Sequence, residues 1–567
     1  MNIIDYPFTN GEILKRKKSL KRKLLEQKGL LEKRIAILSS STIGDIKDVL
    51  ELFLLNFGIK PHFYVGQYNR MYEDIMFENQ ELTDFNPELI YIHTSTRGLS
   101  DDEMWNKLQF IWTKIKNDYF CPIIQNNFEL PAYGFDFDIQ QINSLNVQIL
   151  DYAKKNTDFY VNDVQHLSAY FGLDKWFCEQ DYYLYKYSLS VTAIPFLCHN
   201  IAKIIKSIYG KNQKCLVLDL DNTLWGGVVG DVGVMGITLG METALGEAYL
   251  TFQRYIKTLH DKGIILTICS KNDENIAKEA FNNPNMVLQL EDITFFCANW
   301  DNKAENILKI AEHLNIFPES MVFIDDNPVE RELVRQVLPD VHVPEVNSVI
   351  DFIPHIESKG YFYVTNMSSD DAKRNEYYAS DTKRSEFKST FVDYGEYLGS
   401  LQMSSEMRSF SSVHLDRITQ LINKTNQFNL TTKRYSQSEV EKVTVDPDFI
   451  TLYATLDDKF GSNGIVSALI GEKSEKTLHI RLWVMSCRVF RRDLEFAIFD
   501  HLVEICKEKN LEKIVGYYFK TEKNGYVTDL FDNLGFTKIK NDVFEFTVTP
   551  EYQHKNKYIT IKRDIEQ

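Results

Sequence analysis

Apolar residues arrive along this chain in short dense runs separated by stretches with helical spacing. RIAILSSST (34–42), ELIYIHTST (88–96) and CPIIQNNF (121–128) read as buried strands. Between the first two, DIKDVLELFLLNFG (45–58) repeats its apolar positions as a helix does. This alternation predicts an α/β unit up to about residue 205. A second α/β unit follows over about 212–365. Its runs KCLVLDLD (214–221), GIILTICS (263–270) and SMVFIDD (320–326) each end in polar residues capable of chemistry. Helical patterns lie between them, which predicts parallel βαβ units. The stretch 370–390, DDAKRNEYYASDTKRSEFKST, is charged and helix-prone and reads as a connector. Beyond about 400 the pattern becomes α+β, with strands FITLYATLDD (449–458) and TLHIRLWVMS (477–486). A helix over 493–510 aligns Leu494, Ala497, Ile498, Leu502 and Ile505 on one face. The expected domains are 1–205, 206–365 and 401–567, with 366–400 as the connector.

Bulk properties narrow the functional classes. A chain of 567 residues is too long for one core. Its net charge of −16 argues against nonspecific binding to nucleic acid or anionic membranes. No apolar run is expected to reach the ~18 residues of a membrane span. The N-terminal stretch lacks the continuous apolar core of a secretory signal. Eight scattered cysteines, without C-x-x-C or Cys/His clusters, fit reduced thiols in a cytoplasmic protein. The basic run Lys15–Lys23 overlies Ile13, Leu14, Leu20, Leu24 and Leu25 at roughly helical spacing. It reads as a solvated helix face docked on the first domain.

The strand ends of the middle domain carry the chemistry. Asp219, Asp221 and Thr223 form D-x-D-x-T, and the two carboxylates project to one side of an extended backbone. In an open α/β sheet the carboxyl ends of the strands form the ligand crevice. GIILTICS ends at Ser270, a hydroxyl able to bond a phosphate oxygen. Lys303, in NWDNKAENI, supplies a cation among crowded anions. FIDDNP adds Asp325 and Asp326, further oxygen ligands for a hard cation. Each has an ordinary explanation alone, as a cap, a surface lysine or an Asx turn. Together, in this order, they point to a Mg²⁺-assisted phosphoryl-transfer site.

These four motifs resemble those of the haloacid dehalogenase (HAD) superfamily. The resemblance implies that Asp219 is the nucleophile that becomes phosphorylated. It makes Asp221 the acid/base, whereas Thr223 orients the loop. Mg²⁺ is then held by Asp219, the backbone carbonyl of Asp221 and Asp326, with Asp325 in support. About thirty residues separate Ser270 from Lys303, too few for a cap domain. The glycine-rich WGGVVGDVGVMG suits a small flap, leaving a site open to a carrier protein's arm.

DLDNTLWGGVVGD, CSKND, NWDNKAENI and FIDDNPVERELV resemble the FkbH-like branch of that superfamily. LINKTNQFNLTTKRY, DKFGSNGIV, WVMSCRV and TEKNGYVTDLFDNLGF resemble its C-terminal domain. The resemblance implies transfer of a glyceryl group from 1,3-bisphosphoglycerate to an acyl carrier protein through a thiol. Partners would be a small phosphorylated substrate and a carrier or phosphopantetheine arm, without nucleic acid or membrane insertion. The alternative is a plain phosphatase acting on a phosphorylated sugar or small metabolite. An interaction scaffold with a vestigial site is weakened by the intact motifs.

The C-terminal unit resembles the GNAT acyltransferase fold, in which a turn and helix N-terminus cradle a pyrophosphate. Here the turn, SCRVFRRDLE (486–495), carries Arg491 and Asp493 where glycines are expected. Arg488, Arg491 and Arg492 are candidate anion-binding cations, and Asp493 a competing helix cap. Cys487 beside them is expected to have a lowered thiol pKa and to be the acyl-accepting nucleophile. Cys269, next to Ser270, is turned away from phosphate by strand alternation. The first domain resembles a degenerate three-layer SGNH hydrolase. Its nucleophile could be Ser39, Ser40 or Ser41, with Asn126 or Asn127 as an oxyanion donor. Asp163 and His166 form the only Asp-x-x-His, on a helix rather than at a catalytic position. The domain therefore reads as a docking or scaffolding module.

Overall fold

Each run predicted as a strand is a strand, and the strands sort into three sheets. The computed structural model describes residues 3–77, 79–99, 103–131, 138–363, 377–378, 380–381, 384, 387–388 and 390–562. Most of the predicted connector helix over 370–390 lies outside the described residues. The chain divides into two compact units. One comprises Met1–Lys211 with Arg434–Val445, the other Asn212–Lys433 with Asp446–Gln567. Segment 434–445 was expected within the third domain, yet it belongs with the first unit.

The first unit holds a five-stranded parallel sheet in the order β2-β1-β3-β4-β5. Its strands are β1 (Leu31–Ser39), β2 (Ile59–Val65), β3 (Leu89–His93), β4 (Ile123–Asn126) and β5 (Phe159–Asn162). β3 and β4 are buried throughout, as expected when helices cover both faces of a parallel sheet. The basic N-terminal stretch is a helix, Asn10–Leu24, burying Ile13, Leu20 and Leu24. Lys17 pairs with Asp45, and Lys21 with Glu51, on the helix Gly44–Asn56. This is the docked, solvated face predicted for it.

One expectation about this unit is corrected. Val191–Ile208 is long and apolar enough to cross a membrane, with mean hydropathy 1.2 over 18 residues. Most of it is buried inside the unit, including Ile194, Leu197, Ile201 and Ile205. Its apolar composition is that of a core helix.

The second unit begins with a parallel sheet in the order β8-β7-β6-β9. Its strands are β6 (Cys215–Leu218), β7 (Ile265–Ser270), β8 (Phe295–Ala298) and β9 (Met321–Ile324). From β6 the chain moves outward through β7 and β8, then returns to the other side as β9. The topological switch point lies between β6 and β9, where such sheets place ligands.

The remainder of this unit is an eight-stranded mixed sheet, β15-β16-β14-β13-β12-β11-β10-β17. It comprises β10 (Met403–Arg408), β11 (Phe449–Asp458), β12 (Gly461–Ser474), β13 (Thr477–Met485), β14 (Lys513–Tyr517), β15 (Thr537–Lys540), β16 (Val543–Thr547) and β17 (Ile559–Lys562). β13 and β14 pair in parallel only over Thr477–His479 and Lys513–Val515. Past that point they part, giving the splayed pair of a GNAT-like sheet. The helix Leu494–Glu508 buries Leu494, Ala497, Ile498 and Leu502 as its periodicity predicts, with Ile505 partly buried.

Candidate active site

Four strand ends converge on a cleft of about 390 Å³ lined by Asp219, Asp221, Ser270, Lys303 and Asp326, among others. Asp219 follows β6 directly, and Asp325 and Asp326 follow β9, its neighbour across the switch point. Lys303 is the first residue of the helix Lys303–Leu314, whose N-cap Asn302 accepts a hydrogen bond from the amide of Ala304. A cation at a helix N-terminus opposes the helix dipole. Lys303 is tolerated there because its Nζ lies 2.9 Å from Asp219 Oδ1 and 2.6 Å from Asp325 Oδ2. Burial works against its charge, but the two carboxylates outweigh that and raise its pKa.

One lysine does not balance three carboxylates. Asp219, Asp325 and Asp326 each offer an oxygen within 4.8 Å of the others. Burial, with Asp219 adding to it, raises Asp326 and brings Asp325 to about 6. A hard divalent cation with oxygen ligands fits this set, since it removes the residual repulsion. Thr223 is fully buried, and its Oγ1 accepts a hydrogen bond from the amide of Asp326 at 3.2 Å. It thereby ties the first loop to the last.

The carboxylate of Asp221 is held outside that cluster. Its Oδ1 accepts from the indole Nε1 of Trp225 and the amide of Val229, each at 3.0 Å. Its Oδ2 accepts from Asn272 Nδ2 at 2.9 Å. Burial raises its pKa, the direction that suits a general acid. The sequence reading missed Asn272, although it lies inside CSKND. Val229 belongs to the flap, whose Gly226 and Thr238 exchange backbone hydrogen bonds. A Cβ on Gly226 would come within 2.9 Å of the Tyr249 ring, so the flap's close seat needs glycine. Cys269 is buried and bonds the carbonyl of Lys303, away from the cleft as predicted.

The Cys487 turn departs from expectation. Burial raises the thiol's pKa and outweighs the opposing effect of Lys214 and Arg488. The predicted lowering is therefore corrected: the arginines are present, but loss of water dominates. Arg492 is not a free anion-binding cation. It pairs with Asp381 at 2.9 Å and Asp458 at 3.2 Å, in a buried network that includes Arg384. Arg488 stacks 4.2 Å from the Tyr377 ring centroid and bonds Ser486 Oγ, and Arg491 is exposed. Arg491 and Asp493 take the glycine-like left-handed conformation, with φ of 61° and 60°. Asp493 makes no side-chain cap. Glu495, in the first helical turn, is raised to about 7 by burial, and its Oε2 is buried without a partner.

Nor is the gap between β13 and β14 available to an extended ligand. The chain's own segment 428–430 fills it. Met485 N donates to Phe428 O, Leu430 N to Trp483 O, and Phe519 N to Leu430 O. A phosphopantetheine arm therefore has no seat between β13 and β14 and would have to reach the turn from beside it. What remains open is a cavity of about 620 Å³ lined by Cys487, Arg488, Arg491 and Tyr526.

In the first unit the candidate serines meet a histidine that the sequence reading overlooked. Ser41 Oγ donates to Ser188 Oγ at 3.2 Å, and Ser188 lies 2.9 Å from His93 Nε2. Asn126 Nδ2 donates to His93 Nδ1 at 3.0 Å, and Tyr91 OH lies 2.7 Å from the same nitrogen. Burial lowers the His93 pKa to about 4. Burial thus makes this histidine a poor general base for a serine nucleophile. Asp163 caps the helix Val164–Phe171 and binds Asn127, so Asp163 and His166 form no catalytic pair.

Comparisons with known proteins agree with this geometry. Residues 134–206 match the family described as FkbH, N-terminal domain. The N-terminal part of BF1531 from Bacteroides fragilis, which contains a phosphatase domain and was solved complexed with Mg, is 32% identical. That match covers 62% of this chain and 99% of that one, with a TM-score of 0.57. The ribosomal-protein-S18-alanine N-acetyltransferase from Escherichia coli is 11% identical, over 27% of this chain and 99% of that one, with a TM-score of 0.21. PaiA N-acetyltransferase from Thermoplasma acidophilum, solved with coenzyme A, is 13% identical over 25% and 99%, also at 0.21. No curated protein matches the chain by sequence. The BF1531 relationship and the four strand-end motifs show that this chain belongs to the FkbH-like HAD phosphatases.

Proposed function

We propose that the chain is a Mg²⁺-dependent phosphatase coupled to transfer of a small acyl group, glyceryl from 1,3-bisphosphoglycerate, onto a carrier-protein thiol. The observation carrying the phosphatase half is Lys303 bridging Asp219 and Asp325, with Asp326 completing an acidic cluster. Asp219 attacks phosphorus while Asp221 gives its proton to the leaving oxygen. Asp221, now ionised, takes a proton from the water that hydrolyses the aspartyl phosphate. Ser270 and Lys303 bind phosphate oxygens, and Thr223 keeps Asp326 in register. Asp219, Asp326 and the carbonyl of Asp221, with Asp325 in support, would hold Mg²⁺, which would supply positive charge against the phosphate. Cys487 is the thiol that takes the acyl group, with Arg488 and Arg491 in the wall of its cavity. The eight free cysteines suit a reducing, cytoplasmic setting.

Intact-mass measurement after mixing with 1,3-bisphosphoglycerate and Mg²⁺ tests this reading. It expects a covalent acyl adduct that is lost in Cys487→Ser. Phosphate release without adduct or carrier transfer would instead establish the plain phosphatase acting on a phosphorylated sugar or metabolite. The raised Cys487 thiol is the observation favouring that second reading.

A further inference from the structure

One ion pair in the phosphate cleft has no part in the proposed phosphoryl transfer. Lys271 Nζ donates to Glu330 Oε1 at 2.7 Å, and both residues line the cleft. Lys271 stands between Ser270, which ends β7, and Asn272, which donates to Asp221 Oδ2. Glu330 is the third residue of the helix Pro328–Val337, which follows Asp325 and Asp326. The pair thus joins the strand end that steadies Asp221 to the one that carries the acidic cluster. In the proposed reaction Asp221 gives its proton to the departing oxygen, so a wall anchored beside Asn272 is one that the leaving group meets.

Local structure explains why Glu330 is turned this way. A glutamate at the third helical position commonly reaches back to the N-cap amide. Here the amide of the N-cap, Asn327, donates to Asp325 Oδ1 at 2.8 Å, so that place is taken. Glu330 is only 8% exposed, and its Oε2 is buried without a hydrogen-bond partner among the described residues. A buried acceptor left without a donor costs free energy. The Lys271 side chain, by contrast, is 38% exposed, and a lysine ammonium carries three N–H donors. It can shift aside and still bond.

Charge decides what such a pair accepts. Besides Glu330, the carboxylates of Asp219, Asp221 and Asp326 line the cleft. Its other cation, Lys303, is held by Asp219 and Asp325. Lys271 and Glu330 cancel each other. A second anion on the substrate would draw Lys271 away and leave the Glu330 carboxylate buried and uncompensated. A neutral hydroxyl meets no such cost, because its hydrogen is donated to Glu330 while its oxygen accepts from Lys271.

We infer that Lys271 and Glu330 form a specificity pair that reads a hydroxyl on the carbon next to the one bearing the phosphate ester. The substrate class is a phosphate monoester of a polyol, and a carboxylate in the place of that hydroxyl is rejected. This rests on the phosphatase reading above and states which monoesters that site takes.

The test measures phosphate release by the full chain with Mg²⁺ on three monoesters of similar size. These are 2-hydroxyethyl phosphate, n-propyl phosphate, which has a methyl in place of the hydroxyl, and 2-phosphoglycolate, which has a carboxylate. The hydroxylated compound should exceed each of the others in kcat/KM by about 100-fold. Glu330→Met and Lys271→Met should each bring the hydroxyl-to-methyl ratio below about tenfold. Glu330→Gln keeps an acceptor and removes the charge. It should raise 2-phosphoglycolate relative to 2-hydroxyethyl phosphate by about tenfold. Each readout is a ratio within one protein, so general damage to the fold cancels, and Lys271→Met changes a partly exposed side chain that folding tolerates. The inference is overturned if the native chain separates the hydroxylated and methyl compounds by less than about threefold, or if both methionine variants leave their ratio unchanged. Turnover without discrimination sinks this inference alone, whereas no release from any monoester takes down the phosphatase reading itself.

Discussion

The phosphate cleft and the Cys487 turn are built alike, each at a strand end followed by the start of a helix, yet their charges are settled in opposite ways. In the cleft, one lysine stands among three carboxylates, so negative charge is left over for a cation. At the turn, Arg492 reaches Asp381 and Asp458 before any ligand can arrive. Its neighbour Cys487 then responds to burial more than to the cations beside it. Charges that lie together along the chain make a site only where the fold leaves them incompletely paired.

The sharpest way to break this contrast is Asp219→Asn, which should reduce phosphate release by about 10³-fold or more while the fold persists by circular dichroism. Lys303→Met comes next. It leaves buried carboxylates uncompensated, which costs about 3–5 kcal/mol, so both melting temperature and activity should fall. A variant with unchanged stability would show that the lysine is not what holds the cluster. Asn272→Ala frees one oxygen of Asp221 and should lower kcat by about tenfold with little change in KM. A change confined to KM would count against its role in placing the acid.

Smaller effects probe the turn. Glu495 has its folded pKa raised from 4.5 to about 7 by burial, with Asp493 contributing in the same direction. The folded state therefore holds a proton that the unfolded state has lost between those values. Stability should fall as pH rises through that window and level off above it. Glu495→Gln should flatten the melting-temperature profile over the same window, and an unchanged profile would remove Glu495 as its source. Smallest of all, Cys487→Ser should alter release of phosphate from free monoesters by less than twofold, because the Cys487 carbonyl is bonded by Asn315, at the far end of the helix that starts at Lys303 and so at the other edge of the sheet. A large loss would mean that the two sites are not separate.

Much of this was legible in the residues. Asp219, Ser270, Lys303 and Asp325 announce themselves because each follows an apolar run or opens a helix, and a parallel sheet gathers its strand ends. β2 was not expected, since IKPHFYV contains a proline; it is tolerated because β2 is an edge strand. β5 spans only Phe159–Asn162, too short to show a period. His93 was passed over because a hydrolase histidine is sought late in the domain, whereas this one ends β3.

By itself the sequence determined the order of strands and helices, the parallel middle sheet and the acidic residues at its carboxyl edge. These follow from periodicity and strand ends, which are local. Only the tertiary structure decided that Arg492 is spent on Asp381, 111 residues away. It alone decided that Phe428–Leu430 closes the gap between β13 and β14, and that Cys487 sits at the far edge from Asp219. Burial, charge pairing and distance depend on which remote segments come together, and no local pattern carries that information.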